Sequence, residues 1–324
     1  MTNYKTYYTR RNLYEKINYL RHIIFIFFAF TFVLNSSMNI SGGSWMWSSS
    51  LRYIFMLPIL YLMVLRNNGI QKVIYSIKSN SIQWFIWSTV GFGLFYAPLT
   101  FASVYGQSWL VAGCWQLTIV AGILLTPLFG QKLPLKSLLM SCVILIGVFI
   151  IQHEQASDVN ISQMIISIVT ILIAAFAYPL GNRKMMKICN NELTTTERIF
   201  GMTLCSMPFW IILSYFSYTT VGWPEPSQIL QSFIVAIFSG VIATTLFFKA
   251  TELVKSNANQ LAIIEATQSG EVIFTVLGEA LILGSSLPTI TGFIGLAFII
   301  LGMILNSLTG LEKKNKLNLI SKKC

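Results

Sequence analysis

Long apolar runs separated by short polar connections dominate this chain. A window of about 19 residues finds apolar segments near 22–40, 45–65, 82–104, 108–129, 135–151, 161–181, 198–219, 229–250, 259–281 and 288–309. Each comes close to the roughly 20 residues that a helix needs to cross a hydrocarbon layer. The runs are too long and too uniformly apolar for barrel strands, whose signature is short alternation, and a helix pairs every backbone N–H and C=O within its own segment. The pattern predicts an all-α integral membrane protein with ten transmembrane helices.

Composition agrees. Of 324 residues 55% are hydrophobic and only 10% charged, against about 25% charged in an ordinary soluble domain. The net charge is +11, yet the basic residues form no single patch or stripe of the kind that binds nucleic acid. They fall in every second connection: Lys5 to Arg21, Arg66/Lys72/Lys78, Lys132/Lys136, Arg183/Lys184/Lys187/Arg198, Lys249/Lys255 and Lys313 to Lys323. The alternate connections, 41–44, 105–107, 152–160, 220–228 and 282–287, hold no Lys or Arg. This alternation predicts a multi-pass protein of the cell membrane with both termini cytoplasmic. Arg52 breaks it from within the second span. Arg21 to Leu34 superficially resembles a signal peptide, but with nine apolar segments after it we read it as the first span. Cys114, Cys142 and Cys205 lie in apolar runs, Cys189 in a basic loop and Cys324 at the end, so no disulfide framework is implied.

The chain also echoes itself. Ala102-Ser103 and Gly130-Gln131 align with Ala250-Thr251 and Gly278-Glu279 at one constant offset, Leu145 to Val148 aligns with Ile300 to Met303, and Leu51 to Phe55 has a weaker echo in Glu197 to Phe200. Two five-span halves follow, and because five is odd the second half enters the membrane inverted. The expected organisation is a cytoplasmic basic tail (1–21), a first five-helix repeat (22–151), a second (161–309) and a cytoplasmic basic tail (310–324).

Leu51-Arg52-Tyr53 opening the second span, Gly278-Glu279 ending the ninth, and Gly292, Gly295 and Gly302 in the tenth resemble the drug/metabolite transporter superfamily in its EamA-like ten-helix form, and more narrowly its multidrug-resistance efflux branch. The likeness runs through nearly all of the chain between the tails. Gly130-Gln131 stands where the family usually repeats Gly-Glu. The resemblance implies a transporter of small organic molecules or drugs. Many such proteins are exporters driven by proton or ion gradients; others are uncoupled exporters or exchangers of metabolites, amino acids or lipid carriers. Export as a direction comes from the family, and fold alone does not name a substrate.

Span nine carries the candidate chemistry, since Glu265, Glu271 and Glu279 lie in one apolar segment. An ionised group at mid-bilayer costs roughly 2.5–3.5 kcal/mol on insertion scales, so such residues persist when neutralised, paired or facing water. With about 100° per residue, Glu265, Gln268, Glu271, Thr275 and Glu279 share an arc of about 120°, wide enough to face a central cavity. Glu271 falls near the midplane, where a carboxyl can hold a proton and exchange it for a cationic substrate. Glu265 and Gln268 fall nearer the inner gate and Glu279 near the outer boundary. Arg52 has two readings: a partner for Glu279 or for an anionic substrate group at an outer gate, or a side chain snorkelling to the headgroups. Trp115 and Gln116, in the middle of span four, offer an aromatic wall or helix-packing contacts, and Asn35 softens span one. Trp45, Trp47, Trp84, Trp109 and Trp223 lie near span ends and read as an interfacial belt. Pro58, Pro98, Pro127, Pro179 and Pro208 should loosen their spans.

A membrane-embedded enzyme would need a nucleophile–base pair or clustered metal ligands. With only His22, His153 and Asp158 beyond the glutamates, no catalytic, metal or cofactor site is expected. A scaffold held by its basic tails is the remaining alternative, and the span-nine glutamates count against it. The expected partners are a small-molecule substrate, protons or another coupling ion, and the lipid bilayer.

Overall fold

The computed structural model describes residues 26–65, 68–155, 160–190, 192–254, 270–285 and 287–321. Among them every regular element is a helix. In chain order these are α1 (Ile26–Ile40), α2 (Trp45–Val64), α3 (Gly69–Ser79), α4 (Ser81–Ala102), α5 (Ser108–Leu124), α6 (Leu135–Gln155), α7 (Ile161–Cys189), α8 (Thr195–Val221), α9 (Pro226–Leu253), α10 (Gly270–Gly278) and α11 (Ile290–Ser321). Six of these, α2, α4, α6, α7, α8 and α9, are long and apolar enough to cross a membrane; α1, α5 and the apolar part of α11 are shorter. Their outward faces carry bare apolar side chains such as Phe149, Ile211, Tyr215, Leu281 and Ile290, a surface suited to lipid and too apolar for water. The chain is a multi-pass membrane protein.

Helix α3 occupies a connection that sequence reading left without structure. Val73 and Ser76 are buried while Lys72, Ile74, Tyr75 and Lys78 are exposed, so one stripe packs on the bundle and the rest is basic and amphiphilic, as in a helix lying along a membrane surface. It also explains Trp84, whose indole N–H donates to Ser76 at 3.2 Å.

The interior is built around α5. All eight residues of its first half, Ser108–Trp115, are buried, as befits a helix that is apolar on every side. It packs against α6, α7 and α10, while α2 is held between α8 and α9 and the most extensive pairing joins α6 to α11. Close crossings rely on glycine: a Cβ on Gly181 of α7 would lie 2.2 Å from the Gly91 Cα of α4, and one on Gly147 of α6 would lie 2.6 Å from the Gly295 carbonyl oxygen of α11. Only a hydrogen fits there.

Several helices depart from α geometry. The turns Thr89–Gly93 in α4, Ala236–Ala243 in α9 and Glu279–Leu283 following α10 are π-helical. Helix α5 breaks at Gln116, where the Gln116 N–H bonds the Gly113 carbonyl and the Ile119 N–H bonds the Gln116 carbonyl, tightening the turn locally. Neither the α5 break nor the α9 bulge contains a proline. Pro58, Pro179 and Pro208 sit inside continuous helices, whereas Pro98 lies in the α-helical stretch that begins after the π turn Thr89–Gly93 and Pro127 lies in a 3-10 turn, Thr126–Phe129.

Candidate functional site

Glu271 lies in the first turn of α10 with 1% of its surface exposed. Its Oε1 accepts a 3.0 Å hydrogen bond from Gln116 Nε2, which also donates to the Ala112 carbonyl at 3.0 Å. The break in α5 explains both bonds. At a tightened turn the i−4 carbonyl loses its usual donor, and the side chain of Gln116 at that turn supplies one while its second N–H reaches the carboxyl. Among the described residues Glu271 Oε2 has no hydrogen-bond partner, and Glu271 lines a cavity shared with Arg52, Ser239, Phe95, Trp115 and Phe32. The cavity is about 10 Å³ in this structure, room for roughly one water. Its aromatic wall continues outward: Trp115 lies 5.2 Å from Phe95 and 5.8 Å from Tyr178, ring centre to ring centre.

Arg52, 1% exposed, reaches this cavity from α2. Nη2 donates to the Ser239 hydroxyl at 3.1 Å, and the guanidinium carbon lies 3.9 Å over the Tyr96 ring. Tyr96 is tied by its hydroxyl to Asn35 at 3.2 Å, and Thr31 donates to Ser239, so α1, α4 and α9 all hold the groups that hold Arg52. The π turn of α9 contains Ser239 and Gly240; a Cβ on Gly240 would come within 3.4 Å of Arg52 Nε. Arg52 Nε and Nη1 remain without partners.

A second, larger space of about 740 Å³ opens at the end of the bundle whose connections carry no Lys or Arg. Glu279, Glu154, Gln107, Trp109 and Trp45 line it. Glu279 is 3% exposed, and its two oxygens accept from the backbone N–H groups of Ser108 and Trp109 at 3.1 and 3.0 Å. A carboxylate at the first N–H groups of a helix satisfies donors that have no intrahelical acceptor and faces the positive end of the helix dipole. Glu154 Oε1 likewise accepts from the Thr289 N–H at 3.1 Å.

These positions sort the sequence-derived candidates. Glu271, Gln116, Trp115 and Arg52 are brought together, and Asn35 joins one residue removed, through Tyr96. Glu265 and Gln268 lie outside the described residues. The pairing of Arg52 with Glu279 needs correction: among the described residues the two form no ion pair, because the start of α5 takes both oxygens of Glu279 while Arg52 turns to Ser239 and Tyr96. Snorkelling is likewise inconsistent with 1% exposure and the contacts to Ser239 and Tyr96. The interfacial-belt reading also fails for Trp84, Trp109 and Trp47, which are 0%, 4% and 6% exposed; it survives for Trp223 at 78% exposed. Ser239, Tyr96 and Thr31 were missed, since an isolated hydroxyl in an apolar run is common. The one available signal was the unexplained Arg52, which required polar neighbours somewhere.

The weak echo of Arg52 in Arg198 is instructive. Arg198, 2% exposed, has a carboxylate partner, Glu252 at 3.5 Å, which also accepts from Thr195 at 2.7 Å. Among the described residues no carboxylate lies within ion-pair distance of Arg52.

Comparison with known proteins agrees with the architecture. The chain is 48% identical over 304 residues to "Uncharacterized protein YjlA" of Bacillus subtilis (strain 168), covering 90% of this chain and 94% of that one. It is 47% identical over 255 residues to "Uncharacterized 42.1 kDa protein in intracellular alkaline protease 3'region" of Shouchella clausii, covering 76% and 67%. A crystal structure at 12% identity superposes with a TM-score of 0.57 over 92% of this chain and 98% of the other, a likeness of fold alone. Residues 21–312 match the EmrE family model, described as "Putative multidrug resistance efflux transporter". With 292 of 324 residues inside that match, the chain belongs to the EmrE-like efflux family of the drug/metabolite transporter superfamily.

Proposed function

We propose that this protein is a secondary exporter of small organic molecules that works by alternating access, with protons and substrate competing for Glu271. The observation that carries the reading is the Glu271 carboxyl itself, buried in the first turn of α10, bonded to Gln116 across the bundle and lining a small cavity. A buried carboxyl that can exchange its proton for a substrate's positive charge couples two fluxes at one site. The Glu271 carboxyl at the small cavity and the Glu154 and Glu279 carboxyls at the larger pocket favour a positively charged substrate group.

Ten spans in two inverted five-helix repeats fit this mechanism, with one unit rocking against the other around the cavity. Two features support the repeat. Without α3, the described helices fall at the ten apolar segments. The offset that aligns Ala102-Ser103 with Ala250-Thr251 also carries the π turn Thr89–Gly93 onto residues 237–241, inside the π turn Ala236–Ala243. In the orientation drawn from the basic connections, the larger pocket faces outward and Glu279 sits at the outer gate, holding the start of α5.

Proteoliposomes with an imposed pH gradient test the coupling. Glu271→Gln is expected to abolish gradient-driven flux while leaving the protein folded, because glutamine keeps an acceptor for Gln116. Flux equal to the parent's would remove Glu271 from the mechanism.

A further inference from the structure

Among the described residues no carboxylate lies within ion-pair distance of the buried Arg52, and Glu271 lines the same cavity without pairing with it. Leaving an ionised group unpaired in the interior is costly, and a cation–π contact returns only part of that cost. The contacts with Tyr96 and Tyr53 and one bond to Ser239 therefore compensate the guanidinium only in part, and among the described residues Nε and Nη1 have no acceptor. Glu271 lines the same cavity and also keeps one oxygen free. One cavity thus offers a planar cation and a carboxyl, each with an open position, beside aromatic side chains. Arg198 also leaves Nε and Nη2 without partners among the described residues, but it has a carboxylate of the protein, Glu252, within ion-pair distance.

We infer that the substrate is a zwitterion on an apolar body, its anionic group received by Arg52 and its ammonium by Glu271. This rests on the reading of the cavity as the transport site and refines its cation preference. A ligand with both charges compensates both buried groups at once. A simple cation leaves Arg52 unpaired, and a simple anion leaves the carboxyl without a partner. Phe32, Phe95 and Trp115 give the apolar body its surface. At about 10 Å³ the cavity is too small in this structure for such a body, so entry requires its walls to part. Phe95 lies between the π turn Thr89–Gly93 and Pro98, on the stretch of α4 least bound by regular helix hydrogen bonds.

The test uses the full-length protein in detergent and matched compounds that share one body: phenylalanine, phenethylamine and 3-phenylpropionate, then leucine, isoamylamine and 4-methylvalerate. Ligand-induced stabilisation against heat reports binding without requiring transport. At least one zwitterion is expected to bind roughly tenfold or more tightly than its amine and its acid, since a hydrogen bond to a charged group is worth about that factor. Arg52→Gln should erase the advantage over the amine, and Arg52→Lys, which keeps the charge without the fork, should restore part of it. Should Arg52→Gln fail to fold, Arg52→Lys must still narrow the advantage. An amine that binds as well as its zwitterion, an advantage that survives Arg52→Gln, or no response to either zwitterion overturns the inference. Arg52-dependent zwitterion binding with no proton-driven flux overturns the coupling at Glu271 and leaves this inference standing. Proton-driven flux of amines alone, lost in Glu271→Gln, does the reverse.

Discussion

Glu271, Gln116 and Glu279 show how single polar side chains are kept inside an apolar bundle, and each makes a distinct prediction. Gln116 supplies one donor to a carbonyl released by the break in α5 and another to Glu271. Gln116→Leu therefore leaves two buried acceptors unsatisfied, at about 1–3 kcal/mol each, and should lower thermal stability in detergent while altering the pH dependence of flux. Gln116→Glu keeps the shape and adds a second carboxyl, so any surviving flux should shift in pH profile. Glu279 has a mainly positioning role: its oxygens hold the Ser108 and Trp109 N–H groups. Glu279→Gln retains a single acceptor oxygen and should cost about 1–3 kcal/mol of stability with proton coupling retained, which the same proteoliposome assay measures. The sequence reading found Glu271 and Gln116 because polar residues in an apolar run need a reason. It mispaired Glu279 with Arg52 because helical spacing gives the face of a residue and says nothing of what the neighbouring helix presents.

Between helices, glycine placement decides which contacts can tighten. A Cβ on Gly181 would meet the backbone of Gly91, whereas one on Gly240 would meet the flexible end of Met56, 2.6 Å from its sulfur. Gly181→Ala should therefore separate α7 from α4 and destabilise by about 1–3 kcal/mol, as overpacking does, while Gly240→Ala is absorbed by a methionine rotamer. Comparing the two melting temperatures in detergent checks this; equal effects would contradict the close α4–α7 crossing. Long apolar helices were readable from the sequence because hydrophobic length is a local property. The π turns of α4 and α9 and the break in α5 were not, since they come from the fit between neighbouring helices; proline positions pointed mostly to turns that stayed regular.

Across the whole molecule, the orientation proposed for the bundle rests on the distribution of Lys and Arg, and it has its own test. In a background without native cysteines, a cysteine at Gly42 or Gly222, both in connections free of basic residues, should react with a membrane-impermeant maleimide on intact cells. A cysteine at Asn80 or Asn190 should react only after permeabilisation. The opposite pattern would invert the bundle and turn the 740 Å³ pocket toward the cytoplasm.

Sequence alone determined that this chain is helical, crosses a membrane repeatedly, carries acidic groups within a span and resembles drug/metabolite transporters. Lipid imposes those features locally, one segment at a time, through apolar length and the cost of unpaired polar groups. The tertiary structure alone decided which polar groups meet. Arg52 from α2, Ser239 from α9, Gln116 from α5 and Glu271 from α10 stand far apart along the chain, and their convergence depends on helix crossings and on a π turn that local patterning does not encode.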